Sequence, residues 1–480
     1  MNYSLIKRIL GIMLIMFSIT LIFPILISLI YQDNNYITFI LSSAIILVIG
    51  LFFYLPNKNV KNEINIREGF LIVVLFWVVL SIFGSIPFML DPQLSLSFSD
   101  ALFESTSGWT TTGATIIPNL DNLSYSILIY RQELQWLGGM GIVILALAIL
   151  PMLGVGGMQL YKAETTGPIK DNKISPRIAE TAKNLWSVYI GLTILCAISY
   201  YFAGMNAFDS IAHSFSTIAI GGFSTHSQSI GYFDNYLIET ICIIFMLLSA
   251  INFVLHYMVL KNKNIKIYKQ DGETLIYLFL ILFIVLLLMI FLYIENPSNV
   301  DLRHVIFQTV SFITTSGFTS TNHTIWPSFI LTFLITISFI GACTGSTGGG
   351  IKVMRIILLF KLSKKELMRI IHPSAQIPIK LNSRIVPDEV AATVWSFFVL
   401  YFFSYFFISL ILFVSGTDFL TAFSATAACL NNLGPALGVA ADNYSLLNDF
   451  SKYLLSFTML LGRLEIFTLL IILTPYFWKY

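Results

Sequence analysis

The sequence predicts an all-α polytopic membrane protein: four helix–pore loop–helix repeats with pseudo-fourfold symmetry around one pore, preceded by two extra transmembrane helices. Three observations predict it. Of 480 residues, 56% are hydrophobic and only 11% charged, where soluble domains carry about 25% charged residues. A short polar loop with a glycine at its centre occurs four times. Lysine and arginine collect in segments that alternate spans would leave on one side of a bilayer.

Taken in order, the chain starts with Lys7 and Arg8, then an apolar run from Ile9 to about Tyr31. That run is too long for a signal-peptide core, and no small-residue cleavage site follows it, so it reads as a first spanning helix. A second apolar segment covers about 37–55, and the two make an N-terminal unit, 1–67. Each later unit is a long apolar helix, a short helix, the glycine loop and a second long helix. The expected units are 68–183, 184–271, 272–387 with an intramembrane loop at 341–350, and 388–480. In the first, the helices fall near 69–90, 98–109 and 127–150. A span needs about 20 apolar residues, so the short helices are expected to be re-entrant. Such segments are tolerated at membrane depth only where protein or a water-filled cavity surrounds them.

The four loops read Thr110-Thr-Thr-Gly-Ala-Thr115, Ala219-Ile-Gly-Gly-Phe-Ser224, Thr314-Thr-Ser-Gly-Phe-Thr319 and Asn431-Asn-Leu-Gly-Pro-Ala436. Their shared glycines, Gly113, Gly222, Gly317 and Gly434, are 109, 95 and 117 residues apart, the irregular spacing of a diverged repeat. A dehydrated cation needs its water oxygens replaced, and backbone carbonyls converging on one axis can do this. Glycine admits the required backbone conformations and leaves room on the axis. The loops carry no ring of Asp or Glu. Neutral carbonyls suit a large, weakly hydrated ion such as K+ better than a divalent one. The candidate ligands are the carbonyls of Thr111, Thr112, Gly113, Ile220, Gly221, Gly222, Thr315, Ser316, Gly317, Asn432, Leu433 and Gly434.

The second helix of the third unit is interrupted by Gly341-Ala-Cys-Thr-Gly-Ser-Thr-Gly-Gly-Gly350. Each glycine costs about 1 kcal/mol in a helix interior relative to alanine, so the helix should unwind there. The candidate gate comprises Gly345, Ser346, Thr347, Gly348, Gly349, Gly350, Lys352 and Arg463. The stretch fails as a phosphate-binding loop, because Ile351 separates the last glycine from Lys352, no Ser or Thr follows, and no strand precedes it. Arg463 is a charge within an apolar helix, which is costly and by default functional. It is expected to meet the polar loop and hold its carbonyls, while Glu465 faces another way.

Under ten spanning helices, 23 of the 27 basic residues fall on one side, the exceptions being Arg131, Arg303, Lys452 and Arg463. That side is expected to be cytoplasmic, with both termini on it, and the glycine loops open to the outside. The stretch 361–384 is expected to be able to receive a cytoplasmic partner. Glu104, Arg131 and Glu133 read as structural or pore-mouth residues. The six histidines and four cysteines show no metal-binding spacing, and no cluster of carboxylates or histidines supports an enzyme.

These motifs, with Gly462-Arg-Leu-Glu465, resemble the superfamily of Trk, Ktr and HKT potassium transporters over essentially the whole chain. The two extra N-terminal helices make it more similar to the Trk-system membrane subunit (TrkH type) than to the shorter Ktr type. The resemblance implies potassium uptake across a bacterial inner membrane by a homodimer with one pore per subunit. It implies a gate at the loop and Arg463, controlled by a cytoplasmic nucleotide-binding subunit (TrkA type). Nucleotide would act on that partner, with no organic cofactor or nucleic acid on this chain. Serine at the first filter glycine accompanies sodium permeation in the superfamily, so Gly113 favours potassium. Ala436 departs from the glycine of many relatives. A proton- or sodium-coupled symporter, or a less selective potassium/sodium channel, is the alternative.

Overall fold

The computed structural model describes residues 1–60, 65–144, 178–295, 301–321, 326–381 and 384–479. Lys61, Lys162, Lys170, Lys173, Arg177, His323 and the expected end of the first return helix, 145–150, lie outside the described residues. The structure is nearly all helical. The N-terminal unit is α1 (Tyr3–Thr20), α2 (Ile22–Tyr31) and α3 (Tyr36–Tyr54), with α1 packed along α3. Close approach is possible because Gly11 and Gly50 face each other's backbone: a Cβ on Gly11 would meet Gly50 O at 2.8 Å.

The next stretch holds α4 (Ile66–Gly84), α5 (Ile86–Leu90), the short α6 (Phe98–Trp109) and α7 (Tyr125–Ile144). Then come α8 (Ile178–Phe202), the short α9 (Ala207–Ala219), α10 (Tyr236–Ala250) and α11 (Phe253–Asn262). After α12 (Lys266–Gln270) follow α13 (Gly272–Glu295), the short α14 (Leu302–Thr314), α15 (Ser328–Ser338) and α16 (Val353–Ile371). The last stretch is α17 (Asp388–Val414), the short α18 (Phe419–Leu430), α19 (Asp449–Arg463), α20 (Phe467–Leu473) and α21 (Pro475–Lys479). One two-residue hairpin, β1 (Lys380–Leu381) with β2 (Arg384–Ile385), precedes α17.

Among the described residues, six helices are long and apolar enough to span a bilayer, or up to eight if two bent pairs each count as one. Their outward faces carry exposed Phe, Leu and Ile, as a lipid-facing surface requires. The passage at α7 carries Arg131, Gln132, Glu133 and Gln135, all buried. The passage from α15 to α16 is interrupted by residues 339–352.

Two breaks differ from expectation. One long helix was expected after the second loop and one after the fourth, yet each is broken in two: α10 and α11 meet at 94° and α19 and α20 at 117°. The first break is stabilised by the interrupted passage beside it. Cys343 N donates to Ala250 O, Phe253 N donates to Gly345 O (both 3.0 Å), and the Asn252 side chain caps α11. The freed backbone groups of one broken helix satisfy those of another, as a water-poor interior demands. At the second break, Glu465 and Ile466 take positive φ, and Glu465 pairs with Arg355 at 2.6 Å.

Candidate functional site

Each short helix starts on a side-chain cap. Ser97, Asn206, Asp301 and Asp418 accept from the amides of Asp100, Asp209, Arg303 and Thr421. This satisfies one of the free N–H groups at the first turn. The helices have 12, 13, 13 and 12 residues. At about 1.5 Å per residue they reach under 20 Å, short of a bilayer core of about 30 Å.

All four end the same way. Thr112, Gly221, Ser316 and Leu433 donate their N–H to Ser107, Ser216, Ser311 and Ala428 at 2.8–2.9 Å. This bond back to the fifth preceding residue is the Schellman closure, which requires a left-handed residue just before the donor. Those residues are Thr111, Ile220, Thr315 and Asn432, with φ of 51°, 53°, 65° and 54°. Three are β-branched, so the conformation costs about 1–2 kcal/mol each and persists only because the surroundings impose it. The glycines follow at φ 81°, 76°, 78° and 94°, so left-handed residues alternate with ordinary ones through each loop.

The loops close on one another in a ring. A Cβ on Gly113 would fall on the carbonyl oxygen of Gly221, on Gly222 that of Ser316, and on Gly317 that of Leu433. A Cβ on Gly434 would meet Thr112 O at 2.6 Å, returning to the first loop. Each of the four glycines is thus fixed twice, by positive φ and by the carbonyl preceding the next glycine. All four glycines line a single cavity of about 700 Å³, together with residues that follow them in each loop.

The carbonyls of the four loops are not equivalent. Gln135 on α7 donates from Nε2 to Gly221 O (2.6 Å) and accepts at Oε1 from Phe223 N (3.1 Å). It sits where a Cβ on Gly221 would be. That explains a second glycine in this loop although Gly221 lacks positive φ. Tyr444 donates its hydroxyl to Gly434 O at 2.7 Å and its N–H to Thr115 O at 2.9 Å. Glu104 and Arg131 form a wholly buried pair at 2.8 Å. Glu104 also accepts from Ile116 N, while Arg131 donates to Ser224 O at 3.0 Å and lies over the Phe223 ring. This pair ties the first loop to the second. Reading the sequence missed Gln135 and Tyr444. The available signal for Gln135 was the run Arg131-Gln-Glu-Leu-Gln135 inside an apolar helix.

On the cavity wall, His226 bridges Asp121 (2.9 Å) and Asp209 (3.3 Å) and stacks on Tyr232. Burial alone would lower the His226 pKa, but hydrogen bonds to these two carboxylates outweigh it and hold it above its usual value. Asp121 is partly desolvated, yet its bonds to His226 and Ser227 keep its pKa below the usual carboxylate value.

The interrupted passage lies against the ends of the short helices. Thr347 Oγ1 donates to Ile218 O (3.0 Å), Gly349 N to Thr315 Oγ1 (2.7 Å) and Gly350 N to Asn431 O (3.1 Å). It therefore meets residues that precede the glycines, while the cavity is lined by the glycines and residues after them. Lys352, buried and at φ 81°, donates to Gly348 O. Arg463 ends α19 and donates from Nη1 to Thr347 O at 3.0 Å. Its Nε and Nη2 find no partner among the described residues. The four cysteines are free and buried.

A family model described as "TrkH: Cation transport protein" matches residues 34–480. The chain belongs to the TrkH family of cation transport proteins. It is therefore a membrane transport protein and not an enzyme. It is 49% identical to the Trk system potassium uptake protein TrkH of Escherichia coli (strain K12) over 482 residues, covering all of both chains. The TrkG protein of the same organism is 41% identical over 474 residues, 98% of this chain and 97% of that one. The crystal structure of the potassium transporter TrkH from Vibrio parahaemolyticus superposes with a TM-score of 0.93 at 46% identity, covering all of both chains. The chain thus shares the fold of that solved relative over its whole length.

Proposed function

We propose that this chain carries potassium into the cell through one pore, selected by the carbonyls of its four glycine loops. The observation that carries the reading is the ring of Gly113, Gly222, Gly317 and Gly434 on one cavity. Each loop alternates left-handed and ordinary residues, which turns successive carbonyls the same way. The short helices add their negative ends at the same place, which favours a cation. The carbonyls of residues 111–113, 220–222, 315–317 and 432–434 are the proposed ligands, with those of Gly221 and Gly434 partly engaged by Gln135 and Tyr444. No side-chain charge is required of the filter itself. The division into units 68–183, 184–271, 272–387 and 388–480 follows these four loops.

The interrupted passage, Gly345–Gly350 with Lys352 and Arg463, serves as the gate. It abuts three short-helix ends and carries two buried cations, which a permeating cation would have to pass. The basic side is cytoplasmic and bears both termini, in a bacterial inner membrane. There α16 presents Lys364, Lys365 and Arg369 beside exposed Leu367, Ile370 and Ile371. That surface suits a cytoplasmic nucleotide-binding subunit of the TrkA type or a second copy in a homodimer.

The test is uptake of rubidium, potassium and sodium into liposomes holding the purified chain, with and without the cytoplasmic subunit. Rubidium and potassium are expected to enter far faster than sodium, and faster with the subunit. Equal sodium and potassium flux would overturn the filter assignment. Flux that stops when the proton gradient is collapsed at fixed voltage would replace channel-like passage with coupled symport.

A further inference from the structure

The gate loop has two ends, and one carboxylate oxygen holds both. Glu273 lies in the first turn of α13 and is buried. Its Oε1 accepts from Thr344 N at 2.9 Å and from Thr344 Oγ1 at 3.3 Å, just before Gly345. The same atom accepts from Met354 N at 3.2 Å, in the first turn of α16, just past Lys352. Met354 N is one of the amides that a helix start leaves without an internal partner. A carboxylate there gains from the helix dipole as well as from the bond. A buried charge in a membrane protein is costly, so it is retained where it does something. Here its visible partners are the two flanks of the glycine-rich passage.

Glu273 also stands at a junction. It follows Asp271, whose carboxylate caps Thr274 N at 2.9 Å and Thr274 Oγ1 at 2.6 Å. Before that comes α12, five residues on the basic side of the chain with Lys266 and Lys269 exposed. A displacement of this junction carries the Glu273 carboxylate away from Thr344 and Met354. The glycines then lose one restraint on each flank at once, while the backbone bonds of Cys343, Gly345 and Val353, Arg463 and the short-helix ends remain.

We propose that Glu273 is a positioning residue for the gate: it staples the two flanks of the 345–352 loop, and moving the α12–α13 junction releases it. This rests on reading that loop as the gate. It assigns to the first turn of α13 a control that the filter and Arg463 do not supply.

The experiment compares rubidium and sodium uptake by liposomes holding the full chain without a cytoplasmic subunit. The chains are wild type, Glu273→Ala, Glu273→Gln, Arg463→Ala and a chain shortened within Gly345–Gly350. Charge-assisted hydrogen bonds are lost in Glu273→Ala, so its rubidium flux is expected to rise about tenfold or more. Glu273→Gln keeps a neutral acceptor and should rise less. The rubidium-to-sodium ratio should stay as in wild type for both, because the filter is untouched. If Arg463→Ala and the shortened loop raise flux while Glu273→Ala does not, the staple is wrong and the gate stands. If none of them raises flux, the gate reading falls and the staple with it. A changed ion ratio in Glu273→Gln would mean a general packing role and would also overturn the proposal. Hydrogen–deuterium exchange on Glu273→Gln gives a second measurement that needs no transport. Faster exchange confined to 341–354 is expected, whereas unchanged or chain-wide faster exchange would refute it.

Discussion

Replacing Gln135 by leucine tests the filter from behind. The residue is fully buried, and its amide occupies the two backbone groups on either side of Gly222. Leucine keeps roughly the volume and removes both hydrogen bonds. Gly221 O and Phe223 N are then left without their partner. A buried polar group so stranded costs about 1–3 kcal/mol, so two cost about 2–6 kcal/mol. The low end already suffices for a readable effect. About 2 kcal/mol spread over one loop loosens its conformation by about thirtyfold, at 1.4 kcal/mol per factor of ten. The rubidium-to-sodium flux ratio in liposomes is expected to fall by about that order, with thermal unfolding in detergent little changed. Gly221→Ala should act in the same direction, because its Cβ would fall on the Gln135 amide carbon. If a folded Gln135→Leu chain keeps the wild-type ratio, the second loop's geometry does not set selectivity and the reasoning fails.

Gly113→Ser is expected to admit more sodium, since its side chain must displace Gly221 O at a φ of 81°; an unchanged flux ratio would count against the first loop. Arg463→Ala removes the bond to Thr347 O and should raise flux without a cytoplasmic subunit, measured as rubidium uptake. Arg131→Leu leaves Glu104 buried without its cation and is expected to cost about 3–5 kcal/mol, read as a lower midpoint in thermal unfolding. The raised His226 pKa means that its bridge stabilises the fold below the ordinary histidine value and fades as pH rises through the raised one. Wild type is therefore expected to lose thermal stability between about pH 6.5 and the alkaline side, and His226→Gln to flatten that loss. Asp121 acts oppositely, its contribution being present above the usual carboxylate value and lost as pH falls through the lowered one.

The sequence alone determined the membrane class, because charge and hydropathy are properties of composition. It also determined the four short helices and their glycines, because each has a cap at its start, too few residues to span, and a left-handed residue at its end. Ser97, Asn206, Asp301 and Asp418 are local signals, and so are the glycines. The unwound passage at 341–350 was legible for the same reason: glycine acts on its own backbone. Only the tertiary structure decided what those elements meet. Gln135 lies 86 residues from Gly221 along the chain, and Arg463 lies 116 from Thr347. The bends at Ile251 and Glu465 carry no proline or glycine at the break; a neighbouring backbone takes up what the first frees, and at the second Arg355 pairs with the Glu465 side chain. The ring of carbonyls behind the glycines is likewise a contact between loops far apart in the chain, and no single loop contains it.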